Sequence, residues 1–165
     1  REIQFAKQFP YKIKIPENSS WIRKKSRIYL VQPESYYMTN QSIPIGIYEK
    51  IVELYNNCTN KMILTARREK MKDTILNVLK RYNIKTPNIG LYMYPNKTNI
   101  FSSRWKSEKI LEIYNKYKFD DIYYYDDNIK QLKKIFKFLQ NSNINIYLYK
   151  VNGNIYKLYE NIKNK

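Results

Sequence analysis

Four side chains of this sequence have the chemistry needed to hold a phosphate group, and each lies near the end of a predicted strand or helix. Thr65 offers a hydroxyl, Lys106 an ammonium group, and Asp126 and Asp127 offer two adjacent carboxylates. In an open parallel sheet, ligands bind beyond the carboxyl ends of the strands, so such groups meet on one rim. There the carboxylates would hold Mg²⁺, while the lysine and the threonine, with a helix N-terminus, would bind the phosphoryl oxygens.

Each of these residues also has a purely structural interpretation. Thr65 is β-branched and suits the interior of a strand, and Lys106 suits the exposed surface of a helix. Asp126 and Asp127 could cap a helix that starts near Asn128. The sequence leaves these alternatives open.

The elements that must position these residues alternate between two kinds of apolar pattern. Short runs rich in β-branched and aromatic residues predict strands buried on both faces, and apolar residues at helical spacing predict the helices between them. The predicted strands are 27–31, 61–66, 89–94, 121–126 and 144–151, and the predicted helices are 45–57, 68–83, 106–118 and 128–140. This alternation predicts an α/β fold, a three-layer Rossmann-like parallel sheet of about five strands.

The length of 165 residues fits one domain with extensions. We expect the domain to span 26–151, with a basic extended arm at 1–25 and a basic tail at 152–165. The arm contains Pro10 and Pro16 and little periodicity. It would lie on the domain, follow a phosphate backbone, or remain a solvated tail.

Three segments resemble motifs of a known superfamily. ILTAR, RWKSEKI and DDIYYYDDNIKQL are similar, in this order, to motifs two, three and four of the haloacid dehalogenase (HAD) superfamily, over about residues 26–151. Within it the chain most resembles the RNA-repair (Swiss Army Knife) type and the phosphatase half of polynucleotide kinase/phosphatase. The resemblance implies that Thr65 binds phosphate, that Lys106 neutralises charge with Lys109 as the fallback, and that Asp126 and Asp127 position a metal.

The first motif of that superfamily is degenerate in this chain. Members carry Asp-x-Asp after strand one, where the first aspartate attacks phosphorus and the second acts as general acid and base. Here the predicted strand 28–31 is followed by Gln32-Pro33-Glu34, and no aspartate occurs between residues 1 and 72. The amide of Gln32 cannot supply the attacking carboxylate, and Glu34 is one methylene too long. The resemblance therefore implies a HAD-like fold that has lost its nucleophile.

The resemblance also bears on the size of the ligand. Only residues 32–43 separate the first predicted strand from the next helix, which is too short for a cap domain. By analogy with the family, a rim without a cap accommodates macromolecular ends.

The charge of the chain is strongly positive, with 31 Lys and Arg against 14 Asp and Glu, a net charge of +17. Such a charge favours a polyanionic partner, although an AT-rich genome would also raise the lysine content. Basic residues cluster on several predicted elements, which indicates contact with a phosphate backbone or, alternatively, solvated faces. The clusters are Arg23, Lys24, Lys25 and Arg27; Arg67, Arg68, Lys70 and Lys72 at the start of the second helix; and Lys130, Lys133, Lys134 and Lys137 on helix 128–140.

These observations predict a catalytically degenerate HAD-like domain that binds RNA, as a structural component of a ribonucleoprotein such as an organellar ribosome. We expect no catalytic residue and no cofactor, with Mg²⁺ at Asp126 and Asp127 only if the rim is still active. The single cysteine and the absence of long apolar runs favour an intracellular protein without a membrane segment. The location that we expect is the mitochondrion.

The alternative function is that of a Mg²⁺-dependent polynucleotide phosphatase or RNA-end-repair enzyme, in which Glu34 positions a water. A third interpretation is a regulatory domain of a larger RNA-processing enzyme.

Overall fold

A computed structural model describes residues 49–152 and 155–164 of the chain. The predicted arm, the predicted strand 28–31 with Gln32 and Glu34, and the first basic cluster, Arg23, Lys24, Lys25 and Arg27, lie outside the described residues.

The described residues form a mixed α/β structure of four α-helices and five strands. In chain order these are α1 (Glu49–Asn57), β1 (Met62–Arg68), α2 (Lys72–Arg81), β2 (Gly90–Tyr94), α3 (Ser102–Tyr117), β3 (Ile122–Asp126), α4 (Ile129–Leu139), β4 (Ile146–Asn152) and β5 (Ile155–Ile162), with a short 3₁₀ helix, Glu69–Met71, before α2. The helices and strands predicted in this part of the chain all form, within a few residues of their expected bounds. No helix among the described residues has the length and the apolar character to span a membrane.

The strands lie in two sheets. β1 pairs with β2 in parallel, and β3 pairs with β4 in parallel. β5 adds to β4 in the antiparallel direction. The expected all-parallel sheet is therefore only partly correct, and residues 155–162, which we assigned to a tail, form a strand. Their sequence, IYKLYENI, does not alternate apolar and polar residues, so periodicity alone does not mark it as a strand.

The main core lies between α3, α4 and one face of the β3–β4–β5 sheet. Leu132, Ile135 and Leu139 of α4 are fully buried, and their spacing of three and four residues places them on one side of the helix. They pack against the inward face of β4, which contributes Ile146 and Leu148. Burial of this apolar stripe is the main reason that α4 is held on the sheet.

The opposite face of this sheet is a ladder of tyrosines. Tyr123 stacks on Tyr147 with ring centres 4.9 Å apart, and Tyr125 stacks on Tyr149 at 4.8 Å, which are the distances between neighbouring strands. Tyr123 is 56% exposed. The prediction that the 121–126 strand is buried on both faces is therefore wrong, because tyrosine tolerates water at its hydroxyl end and does not reveal burial by its type alone.

Two arginines that we expected at the start of the second helix belong to the end of β1 instead. Arg68 is buried, and its guanidinium carbon lies 4.2 Å from the centre of the Tyr94 ring. It also donates a hydrogen bond to the carbonyl of Pro95. Arg68 thus ties β1 to the end of β2, and its predicted role in binding a phosphate backbone does not fit this position.

The isoleucines of α4 provide a matched test of the core. We expect Ile135→Ala to lower the free energy of unfolding by about 2–5 kcal/mol, since a fully buried side chain would leave a cavity. Ile129→Ala, in the same helix but at a position that is 36% exposed, should cost no more than about 1 kcal/mol. Urea denaturation of both variants measures the difference, and equal losses would contradict the described packing of α4.

Candidate functional site

A cleft of about 380 Å³ lies where β1 and β3 end. The ends of both strands contribute to its wall, together with one residue of α3 and the first turn of α4. Its lining residues are Leu64, Thr65, Ala66, Arg67, Lys106, Tyr124, Tyr125, Asp126, Asp127, Asn128 and Gln131. This is the position at which ligands bind in parallel α/β sheets.

The structure brings together the four residues that the sequence singled out for phosphate chemistry. Thr65, Lys106, Asp126 and Asp127 all line this one cleft, although they come from three elements far apart in the chain. The fallback lysine, Lys109, does not line it. Its Nζ lies 2.9 Å from a carboxylate oxygen of Glu112, on the surface of α3.

Lys106 forms an ion pair with Asp126 inside the cleft. The Nζ of Lys106 lies 3.3 Å from Oδ2 of Asp126, and each side chain is only 9% exposed. The helix position explains this burial, because Lys106 lies four residues before Ile110, which is fully buried in the core. The interpretation of Lys106 as a surface lysine is therefore wrong.

Two further groups donate to the same carboxylate. The hydroxyl of Tyr124 donates to Oδ2 of Asp126 at 2.7 Å, and the backbone N–H of Asn128 donates to Oδ1 at 2.8 Å. Burial, together with the nearby charge of Asp126, raises the pKa of the Tyr124 hydroxyl well above its usual value. Tyr124 therefore stays protonated and remains a donor at neutral pH.

Sequence reasoning missed Tyr124 as a member of the site. The signal was present, because Tyr124 and Asp126 are two residues apart in one strand and side chains at this spacing share a face. β3 contains three consecutive tyrosines. Residue type alone therefore does not distinguish Tyr124, which faces the site, from Tyr123 and Tyr125, which face outward.

The start of α4 is capped by Asn128. Its side-chain oxygen accepts hydrogen bonds from the backbone N–H groups of Lys130 at 3.0 Å and Gln131 at 3.3 Å. The alternative in which Asp126 and Asp127 cap this helix is therefore wrong. Because Asn128 occupies two of the amide hydrogens at this helix end, fewer of them can receive an anion from the cleft.

The end of β1 closes the other side of the cleft. The hydroxyl oxygen of Thr65 accepts a hydrogen bond from the backbone N–H of Arg67 at 3.1 Å, a local turn that fixes the threonine side chain. Thr65 and Arg67 are both half-buried. The cleft thus contains two cationic and two anionic side chains, and its charges largely balance.

This arrangement is a poor fit for Mg²⁺. A carboxylate offers about four lone-pair positions, and three donors already occupy the carboxylate of Asp126. Magnesium in proteins is usually held by one or two carboxylates with several waters in octahedral geometry. Among residues 49–152 and 155–164, no group of three or more His, Cys, Asp or Glu side chains is placed to hold a metal ion.

A basic surface extends from the cleft along α4. The four lysines of this helix, Lys130, Lys133, Lys134 and Lys137, are all exposed. The helix contains no acidic residue. Within the described part of the chain, none of these ammonium groups has a carboxylate within ion-pair distance. We call these four lysines the lysine face.

Comparison of the chain with protein-family models, with curated proteins and with solved structures gave no match in any of the three.

Two lysines of α3 provide a matched test of the ion pair. Replacing Lys106 by Met would leave the carboxylate of Asp126 buried without its cation, so we expect Lys106→Met to reduce the free energy of unfolding by about 3 kcal/mol. Lys109→Met removes a pair whose carboxylate partner is largely exposed, and should cost less than about 1 kcal/mol. Chemical denaturation at pH 7 compares the two. A larger loss for Lys109→Met would refute the described geometry.

Proposed function

We propose that the chain is a catalytically degenerate HAD-like domain that binds RNA and acts as a structural component of a ribonucleoprotein such as an organellar ribosome. The observation that carries this proposal is the lysine face, four exposed cations on one helix without a carboxylate partner among the described residues. Unbalanced cations repel one another, and a phosphate backbone removes that repulsion while it releases counterions.

The spacing of the lysines suits a nucleic-acid backbone. Lys130 and Lys137 are seven residues apart in one helix, a rise of about 10 Å at 1.5 Å per residue. This distance spans about three phosphate intervals at the rise of about 3.4 Å per nucleotide along one strand of a nucleic-acid helix. Since the four side chains are long and flexible, they would position a backbone and would not read bases.

The HAD-like part of the proposal gains support from the arrangement of β1 and β3. The ends of both strands line one cleft, yet the two strands are not paired with each other among the described residues. In the superfamily that the chain resembles, the strands of motifs two and four end at one rim, and the ends of β1 and β3 meet in this way.

The loss of catalysis follows from two features in this proposal. Gln32 offers no carboxylate to attack phosphorus. In addition, Asp126 and Lys106 neutralise each other, so neither is poised for the charge of an incoming phosphoryl group and its metal. In this proposal the residues of the cleft hold α3, β3 and α4 together at one end of the RNA-binding surface.

Salt-dependent RNA binding tests the proposal. We expect the chain to bind single-stranded RNA with an affinity that falls steeply with salt, as measured by fluorescence anisotropy. Changing Lys133, Lys134 and Lys137 together to Gln should lower the slope of log K against log salt by about 2, at about 0.7 per lost phosphate contact. The affinity should fall at least about tenfold.

The control removes the same charge from another surface. Lys80, Lys85 and Lys97 are also exposed and lie around α2 and β2, so changing these three to Gln should alter the slope by much less. Equal effects of the two triple variants would show that only net charge matters. Absence of RNA binding by the natural chain at physiological salt would refute the proposal.

One observation favours a second function, a polynucleotide phosphatase or RNA-end-repair enzyme. Thr65, Lys106, Asp126 and Asp127 line a single cleft, as the resemblance requires of an active member. Phosphate release from 5′- and 3′-phosphorylated oligoribonucleotides with Mg²⁺ distinguishes the two functions.

We expect no turnover by the natural chain; any recovery in Gln32→Asp would show that the missing carboxylate, and not the ion pair of Lys106 with Asp126, limits the chemistry of the cleft. Asp127→Asn is the better inactivating control, because Asp127 is exposed, whereas changing Asp126 would disturb the buried ion pair. Turnover by the natural chain that is lost in Asp127→Asn would establish the enzyme.

A further inference from the structure

The outer edge of β5 has unusual properties for a strand at the border of a sheet. β5 pairs with β4 on one side, and within the described residues no strand pairs with its other side. It is eight residues long, contains no proline, and exposes Ile155 at 62%, Tyr156 at 41% and Leu158 at 52%. A long apolar edge offers unpaired backbone groups to another strand, and monomeric proteins usually protect it.

We propose that two copies of the chain associate through antiparallel pairing of β5 with β5 about a twofold axis. The register that we infer places Lys157 opposite Glu160 of the partner subunit, and Glu160 opposite Lys157 of the partner subunit. In this register Ile155 lies opposite the partner's Ile162, and Tyr156 opposite the partner's Asn161. The strand is thus complementary to itself in charge, as an isologous interface requires.

A bulge in β5 makes this register possible. Leu148 pairs with Glu160 and Tyr149 pairs with Leu158, so Tyr159 is an extra residue on β5. Leu148 and Lys150 share a face of β4, and their partners are Glu160 and Lys157. Lys157 and Glu160 therefore share a face of the sheet, although a regular strand would place residues three apart on opposite faces.

The charges around Lys157 favour a carboxylate on the side of β5 that faces away from β4. Lys157 is paired across the strands with Lys150, and like charges in such pairs are destabilising. Neither Lys157 nor Glu160 has an ion-pair partner among the described residues. In the dimer, each lysine would gain the carboxylate that it lacks in the single chain, on both sides of the axis.

The dimer has a consequence for the rest of the surface. The twofold axis stands perpendicular to the sheet, so both copies of α4, which packs on one face of β4 and β5, would lie on the same side of the joined sheet. The inference stands on β5 alone and does not depend on RNA binding, but two lysine faces on one side would increase avidity for a long polyanion.

Charge reversal tests both the dimer and its register. Analytical ultracentrifugation of the full chain should show a monomer–dimer equilibrium. Lys157→Glu and Glu160→Lys should each weaken self-association by roughly tenfold or more, because two attractive pairs become repulsive. The double variant Lys157→Glu/Glu160→Lys restores opposite charges and should associate as the natural chain does.

An equimolar mixture of the two single variants provides the sharpest result. Each single variant associates weakly with itself, but the two together should form a mixed dimer. In this dimer the introduced carboxylate of one variant would face the introduced ammonium group of the other.

A natural chain that remains monomeric up to high micromolar concentration would overturn the proposal. Single variants that associate as well as the natural chain would overturn it too, as would a mixture that shows no preference for the mixed dimer. Lys163→Glu, an exposed change just beyond β5, controls for net charge.

Discussion

The ion pair between Lys106 and Asp126 is the contact on which the cleft depends. It joins α3 to the end of β3 at a site where both side chains are 9% exposed. Two unpaired charges at this depth would be costly, so the pair holds the helix and the strand in one relative position. The hydroxyl of Tyr124 and the backbone of Asn128 complete the shell around the carboxylate, and Asn128 in turn begins α4. The position of the lysine face therefore follows from that of the ion pair.

In the proposed function, this coupling explains how a degenerate active site would persist as a structural element. A lysine and an aspartate that neutralise each other would attract a phosphoryl group and its metal only weakly, but they would still fix the geometry around them. The proposed RNA contacts would then lie on the exposed side of α4, where several screened lysines each contribute a small part of the affinity. In the proposed function, affinity comes from this surface and rigidity comes from the cleft.

Much of this organisation could be predicted from the sequence. The buried stripe of α4 repeats at helical spacing, and the strand ends that meet at the cleft follow from the rule for parallel sheets, so Thr65, Lys106 and Asp126 were expected near one another. Tyr124 was missed because its neighbours are also tyrosines. Arg68 was assigned to the surface because residue type does not reveal an aromatic partner, Tyr94, that is distant in sequence. β5 was missed because its antiparallel pairing depends on contacts with β4 that periodicity does not encode.

The most direct measurement of the central claim is an NMR titration of the ¹⁵N-labelled chain with a single-stranded oligoribonucleotide. The account predicts that the largest changes in amide shift fall on α4, at and around Lys130, Lys133, Lys134 and Lys137, and diminish toward the cleft. The resonances of Lys106 and Asp126 should remain nearly unchanged, since their pair stays intact. Changes centred on Thr65, Lys106 and Asp127 with α4 unaffected would contradict the account, because they would show that the cleft itself is the binding site.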